Sequence, residues 1–187
     1  MSILSFFNCN PRVLRERLDQ CRQRLFRVAL SWCGDRALSE DLVQETLAKA
    51  LKSCSQLRDQ ARLDSWLFTI MNNCWHDHLR RRHDHMDIDE LEDYHCVNAI
   101  TPEDEHSQSQ IVQRVRAAIA RLPVGQREVL TLVDLEEFSY AEVANILDIP
   151  VGTVMSRLCR GRQALKGELR ELMPREVAEP ARIRRVK

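Results

Sequence analysis

Apolar residues recur along most of this chain at intervals of three and four, the spacing that turns one side of an α-helix toward a core. From Arg12 to Cys33 the series Leu14, Leu18, Cys21, Leu25, Val28, Ala29 and Trp32 keeps that spacing, and Gly34 follows as a residue suited to end the helix. A second helix is expected from Ser39, read as its N-cap, with Leu42, Val43, Leu47, Ala50 and Leu51 inward. After the polar stretch "SQLRDQARL" a third begins at Asp64 and carries "SWLFTIMNNCWHDHLRRR". The pattern then lapses. Residues 84–107, "DHMDIDELEDYHCVNAITPEDEHS", hold no sustained apolar stripe and include a Thr-Pro step, which predicts a linker. Fully extended, it would reach ~80 Å at about 3.4 Å per residue.

Helical periodicity resumes near Gln108. "QIVQRVRAAIARL" places Ile111, Val115, Ala118, Ile119 and Leu122 on one side, and Pro123 ends it by disfavouring α geometry in the residue before it. "GQREVLTLVDLEE" predicts the next helix, and Ser139 with Glu142 forms an S-x-x-E capping box at the start of another. The turn "LDIPVGT" leads into a last helix on which Val154, Leu158, Gly161 and Leu165 share one face. The expected fold class is all-α: two small helical domains joined by an acidic, flexible linker. The boundaries are 10–83, 84–107 and 108–173, followed by a basic tail over 174–187.

Composition changes this picture little until it is resolved along the chain. Lys and Arg number 28 among 187 residues, as do Asp and Glu, so total charge points to no partner. The distribution does. Asp84 to Glu105 holds nine acidic residues and no Lys or Arg, while "HLRRRH" before it and the helix after Val151 are basic. Seven scattered cysteines without a C-x-x-C pair suit a reducing compartment. No apolar run approaches a membrane span and "MSILSFFNCN" lacks the basic start of a signal peptide, so a soluble, cytoplasmic protein is expected.

On the last helix, the face opposite the apolar stripe carries Thr153, Ser156, Cys159, Arg160 and Gln163, flanked by Arg157, Arg162 and Lys166. A short helix anchored on one side and bearing hydroxyl, amide and guanidinium groups on the other suits the major groove, with the flanking cations reaching phosphates. A solvated charged face would use the same residues. Cap, turn, stripe and polar face in this order favour DNA.

With these motifs in place, the chain resembles the extracytoplasmic-function (group IV) sigma factors of the sigma-70 family over nearly everything from Leu14 to Leu172. "LPVGQREVLTLVDLEEFSYAEVANILDIPVGTVMSRLCRGRQALK" resembles that family's region 4. "GDRALSEDLVQETLAKAL" and "SWLFTIMNNCWHDHLRRR" resemble region 2. The resemblance implies a protein that binds core RNA polymerase through the β′ clamp and β flap, directs it to promoter DNA and assists strand opening. It implies no enzymatic activity, cofactor or metal, no membrane insertion, and control by an anti-sigma factor. By the family's D-x-x-Q-E pattern, Asp41, Gln44, Glu45 and Ala48 would dock on the polymerase clamp. The alternative for the acids is local: Glu45 pairs with Lys49 one turn on. Asn73 would line a pocket for a flipped base of the minus-ten element, with Leu57, Arg58 and Phe68 shaping it and Arg80, Arg81 and Arg82 holding phosphates. Core packing is the competing role for Trp66, Phe68 and Trp75, for Trp66 above all. Thr153, Ser156, Arg157, Cys159, Arg160, Arg162, Gln163 and Lys166 would read the minus-thirty-five element. Met155, Cys159 and Glu137 depart from the residues common in the family at those places. Met155 cannot form a bidentate guanine contact, which bears on the sequence being read.

Two rival chemistries are visible. Cys74 and His78 sit one turn apart in "CWHDHLRRRHDHMD", as two metal ligands should, but His76, His83 and His85 do not complete a set. The cysteines could form a redox switch, although free cysteines are commonly small buried hydrophobes. A stand-alone helix-turn-helix regulator would leave the first domain unexplained, and no phosphate-cradling glycine loop or nucleophile constellation suggests an enzyme.

Overall fold

The computed structural model describes residues 11–57, 59–82 and 110–170, and every element in them is helical. The first unit comprises α1 (Pro11–Cys33), α2 (Arg36–Lys52) and α3 (Leu63–Arg82), with two single 3-10 turns, Cys54–Gln56 and Gln60–Arg62, between the last two. The second comprises α4 (Gln110–Ala120), α5 (Val124–Leu130) prolonged by a π turn (Thr131–Leu135), α6 (Tyr140–Leu147) and α7 (Val151–Arg170). The predicted linker lies outside the described residues.

The expected inward series of α1 is buried from Leu18 onward: Leu25, Val28, Ala29 and Trp32 are at most 1% exposed, and Cys21 is half-buried. The chain turns at Gly34, whose φ of 68° lies in the left-handed region that glycine enters without a Cβ clash. The cap of α2 corrects the sequence reading. Asp35, not Ser39, is the N-cap, its carboxylate accepting from the Leu38 N–H at 2.9 Å. Ser39 lies in the first turn, fully buried, and donates its hydroxyl back to the Asp35 carbonyl. Leu51 is also corrected: it is exposed at 39%, and Thr46 takes the inward place, its hydroxyl bonded to the Leu42 carbonyl. Leu63, Leu67, Phe68, Met71, Cys74, Trp75 and Leu79 of α3 complete the core of this unit.

In the second unit Pro123 caps α5, where its missing N–H costs nothing. The capping box at α6 is complete: the Ser139 hydroxyl accepts from the Glu142 N–H, and the Glu142 carboxylate accepts from the Ser139 N–H at 2.9 Å. A hydrogen bond donated by the Ser139 hydroxyl at 2.6 Å, and then the one from its N–H, hold the Glu142 carboxyl below its usual pKa. Asp148 ends α6 with φ 54° and turns the chain into α7. Val154, Leu158 and Gly161 are buried as the stripe predicts, and Leu165 is half-buried. A Cβ at Gly161 would stand 3.5 Å from the Gln126 carbonyl oxygen, so α7 lies close against α5.

The two units pack together, α1 against α4, α5 and the π turn, and α3 against α6. Much of this contact is polar. Trp32 Nε1 donates to Thr131 Oγ1 at 2.7 Å, and the buried Arg127 donates to the carbonyls of Trp32, Ala120 and Leu122. His76 Nε2 meets Glu128 Oε1 at 3.0 Å. Arg24 bridges both units, with Nη1 2.7 Å from Asp64 and Nε 2.8 Å from Glu136. Its guanidinium also lies 6.0 Å from the centre of the Phe68 ring. Phe68 in turn meets Phe138 edge-on at 5.3 Å.

Candidate functional site

Three surfaces carry the residues singled out in the sequence. On α2, Asp41, Gln44, Glu45 and Ala48 are all exposed and follow one another around the outside of the helix. The local pairing expected there exists as well: Lys49 Nζ lies 2.9 Å from Glu45. Asp41 and Gln44 are therefore presented outward from a helix whose other side is locked by Leu42, Val43 and Thr46.

The minus-ten candidates are not gathered into one place. Leu57 is half-buried at the edge of a groove of about 770 Å³ between the units, walled by Arg62 and Trp66 on one side and Glu142, Asn145 and Ile146 on the other. Asn73 is exposed in a separate depression with Lys49, Lys52, Ser53 and Ile70. Phe68 is only 2% exposed, covered by Phe138 of the second unit. Arg80, Arg81 and Arg82 are exposed in the last turn of α3, with Arg80 3.1 Å from Asp77. Arg58 lies outside the described residues. The packing roles differ from expectation: Trp75 is buried and stacked on His78, whereas Trp66 is half-buried at the groove.

On α7, Ser156, Cys159, Arg160, Gln163 and Lys166 are exposed on the face away from the buried stripe. Thr153 is half-buried. Arg157 folds inward, its guanidinium lying over Gly125. Arg162 is exposed but grips Asp134 through both Nε and Nη2. The face thus offers Arg160 and Lys166 as outward cations, beside hydroxyl, thiol and amide groups.

Among the described residues no three His, Cys, Asp or Glu side chains are grouped so as to hold a metal ion, and His83 and His85 lie outside them. Burial, and then the Asp64 carboxylate, push the Cys21 thiol up; burial pushes the Cys74 thiol up, opposed by a hydrogen bond from Lys49. Both are moved away from the thiolate that metal binding and oxidation require. His78 has its pKa lowered by burial and then by Arg82 and Arg81.

Sequence reasoning missed the residues that join the units: Arg24, His76, Arg127, Glu128, Thr131, Glu136 and Phe138. Polar side chains at one to four residues' spacing on α5 look like a solvated flank, and nothing local distinguishes them from one.

Comparison with known proteins fits the order of these surfaces. Residues 18–84 match the family Sigma-70 region 2, and residues 112–165 match Sigma-70, region 4. The chain is 38% identical over 148 residues to the ECF RNA polymerase sigma factor EcfG of Rhodopseudomonas palustris, covering 78% of each. It is 34% identical to the ECF RNA polymerase sigma-E factor of Haemophilus influenzae, over 71% of this chain and 75% of that protein. Among solved structures it resembles the sigma factor RpoE of Bartonella quintana, crystallised with the anti-sigma factor NepR. The TM-score is 0.71 at 30% identity, over 85% of this chain and 98% of that one. The chain belongs to the extracytoplasmic-function sigma factors of the sigma-70 family. It is a promoter-directing transcription initiation factor and not an enzyme. Among the described residues, no helix is long and apolar enough to cross a membrane.

Proposed function

We propose that the two units, bounded near 10–83 and 108–173, work apart on one promoter in the bacterial cytoplasm. The α2 face of Asp41, Gln44, Glu45 and Ala48 docks on the β′ clamp of core polymerase, and the second unit lies near the β flap. Asn73, with Leu57, Arg58, Phe68 and Arg80 to Arg82, engages the opened minus-ten element. The outer face of α7 reads the minus-thirty-five duplex. Two such elements about two helical turns apart are separated by roughly 70 Å. A folded body of this size has a radius of gyration of about 15 Å and spans about 40 Å. The closed arrangement is too small to reach both elements, and it buries Phe68. Engagement therefore requires the units to separate, with the 84–107 segment as tether. An anti-sigma factor holding the packed form would inhibit it, as suggested by the relative crystallised with one.

The observation that carries this reading is the division of α7. Its stripe is fixed to α5 at Gly161, while Ser156, Cys159, Arg160, Gln163 and Lys166 stand exposed together. The test is transcription with purified core polymerase and mapping of start sites. Asp41→Ala and Gln44→Ala are expected to reduce association with core by about tenfold or more without altering the circular dichroism spectrum. Equal yields in pull-down would refute the docking surface, and failure to confer any start site would refute the whole reading.

A further inference from the structure

The first turns of α7 carry a feature that cationic read-out does not use. Val151 is 44% and Met155 54% exposed, one helical turn apart on the outward side. Gly152 between them has nothing within 4 Å of where a Cβ would stand. No charged side chain of α7 precedes Arg157, which folds over Gly125; the first outward cation is Arg160. The helix is thus zoned, with an apolar N-terminal end and a cationic remainder. Ser156 belongs to the apolar zone in one respect, because its hydroxyl proton is already given to the Thr153 carbonyl at 3.0 Å.

In a helix-turn-helix docked in the major groove, the N-terminal residues of the second helix meet base edges, while residues farther along face the backbone. An apolar side chain there has one feature to recognise: the C5-methyl of thymine, which no G·C pair presents. We infer that Met155, assisted by Val151, is a specificity-determining residue that reads thymine methyl groups in the minus-thirty-five element. Side chains one turn apart are separated by about 6 Å along the helix, enough to reach neighbouring base pairs. The occupant is fixed as duplex DNA by Lys166, exposed on the same flank of α7 as Met155, and by Arg160, exposed farther round the helix. This inference rests on the assignment of α7 as the minus-thirty-five reader.

The test uses the full chain with core polymerase. Duplexes selected from a random pool define the element, and each thymine in it is replaced singly by deoxyuridine, which lacks only the methyl group. Wild type is expected to lose about fourfold in affinity at one or two positions, the worth of one methyl removed from water. Met155→Ala should be indifferent to the same replacements, while Met155→Leu stays sensitive. Met155 is exposed, so neither variant should change the fold, which circular dichroism checks. Wild type indifferent to every replacement, an element with no A·T pair, or Met155→Ala as sensitive as wild type would each overturn the inference alone. Selection of no upstream element would overturn the assignment of α7 together with it.

Discussion

Arg24 offers a direct way to ask whether the packed arrangement limits promoter binding. Its guanidinium holds Asp64 of the first unit and Glu136 of the second, and the Glu136 side chain is only 4% exposed. Arg24→Ala leaves Glu136 buried without that partner in the packed form, whereas water solvates the carboxylate once the units part. Breaking a fully buried pair costs about 3–5 kcal/mol. Arg24 is 34% and Asp64 40% exposed, so solvent screening reduces the cost here to about 1–3 kcal/mol. That shifts the equilibrium about 5- to 150-fold toward separation. Apparent affinity for a promoter scales with the competent fraction, so polymerase-dependent promoter binding, measured by fluorescence anisotropy, should tighten by up to the same factor. Adding Glu136→Gln should weaken it again, because a neutral amide tolerates burial better than an unpaired carboxylate. Unchanged affinity in Arg24→Ala, or no reversal in the double variant, would refute the reasoning.

Glu137 holds a φ of 59°, which costs a residue with a Cβ about 1–2 kcal/mol. Glu137→Gly should stabilise the chain to urea by about 0.5–1 kcal/mol after the greater freedom of an unfolded glycine is subtracted, and a lower urea midpoint would contradict the strain. Ser139→Ala removes one arm of the capping box and should cost about 1 kcal/mol in the same assay; an unchanged midpoint would mean the cap contributes nothing. The lowered pKa of His78 means the unfolded chain takes up the proton first. Stability from the neutral ring is complete above about pH 6.5 and is lost as pH falls through the lower folded value. His78→Gln should therefore lose less stability than wild type between pH 7.5 and 5.5.

Local signals proved readable where they are strong and self-contained. The Ser139–Glu142 box, the Gly34 turn and the Val154–Leu158–Gly161 stripe are each set by residues a few positions apart, and all three stand as expected. The α2 cap failed because Asp35 and Ser39 are both good N-cap residues, and the choice depends on where Gly34 turns the chain. Leu51 failed at a helix end, where the stripe drifts outward. The contact between units was not legible at all. Arg127 and Glu128 are 1% and 2% exposed, yet charged residues on a short helix ordinarily mark solvent. The family resemblance gave the order of functions, but it could not show that Phe68 is covered by Phe138.

The face that α5 and its π turn present to α1 and α3 carries a guanidinium, a carboxylate and a hydroxyl, meeting an indole N–H, a carbonyl and an imidazole. Each of these groups finds a replacement partner in water, so the polar part of the seam opens at less cost than an apolar one, although Phe68 and Phe138 lose their contact when the halves part. A seam of leucines in the same place would have been harder to open and, once open, prone to clumping with its neighbours. The chemistry of this seam suits the proposed function, in which the chain is folded upon itself and then opens along a promoter.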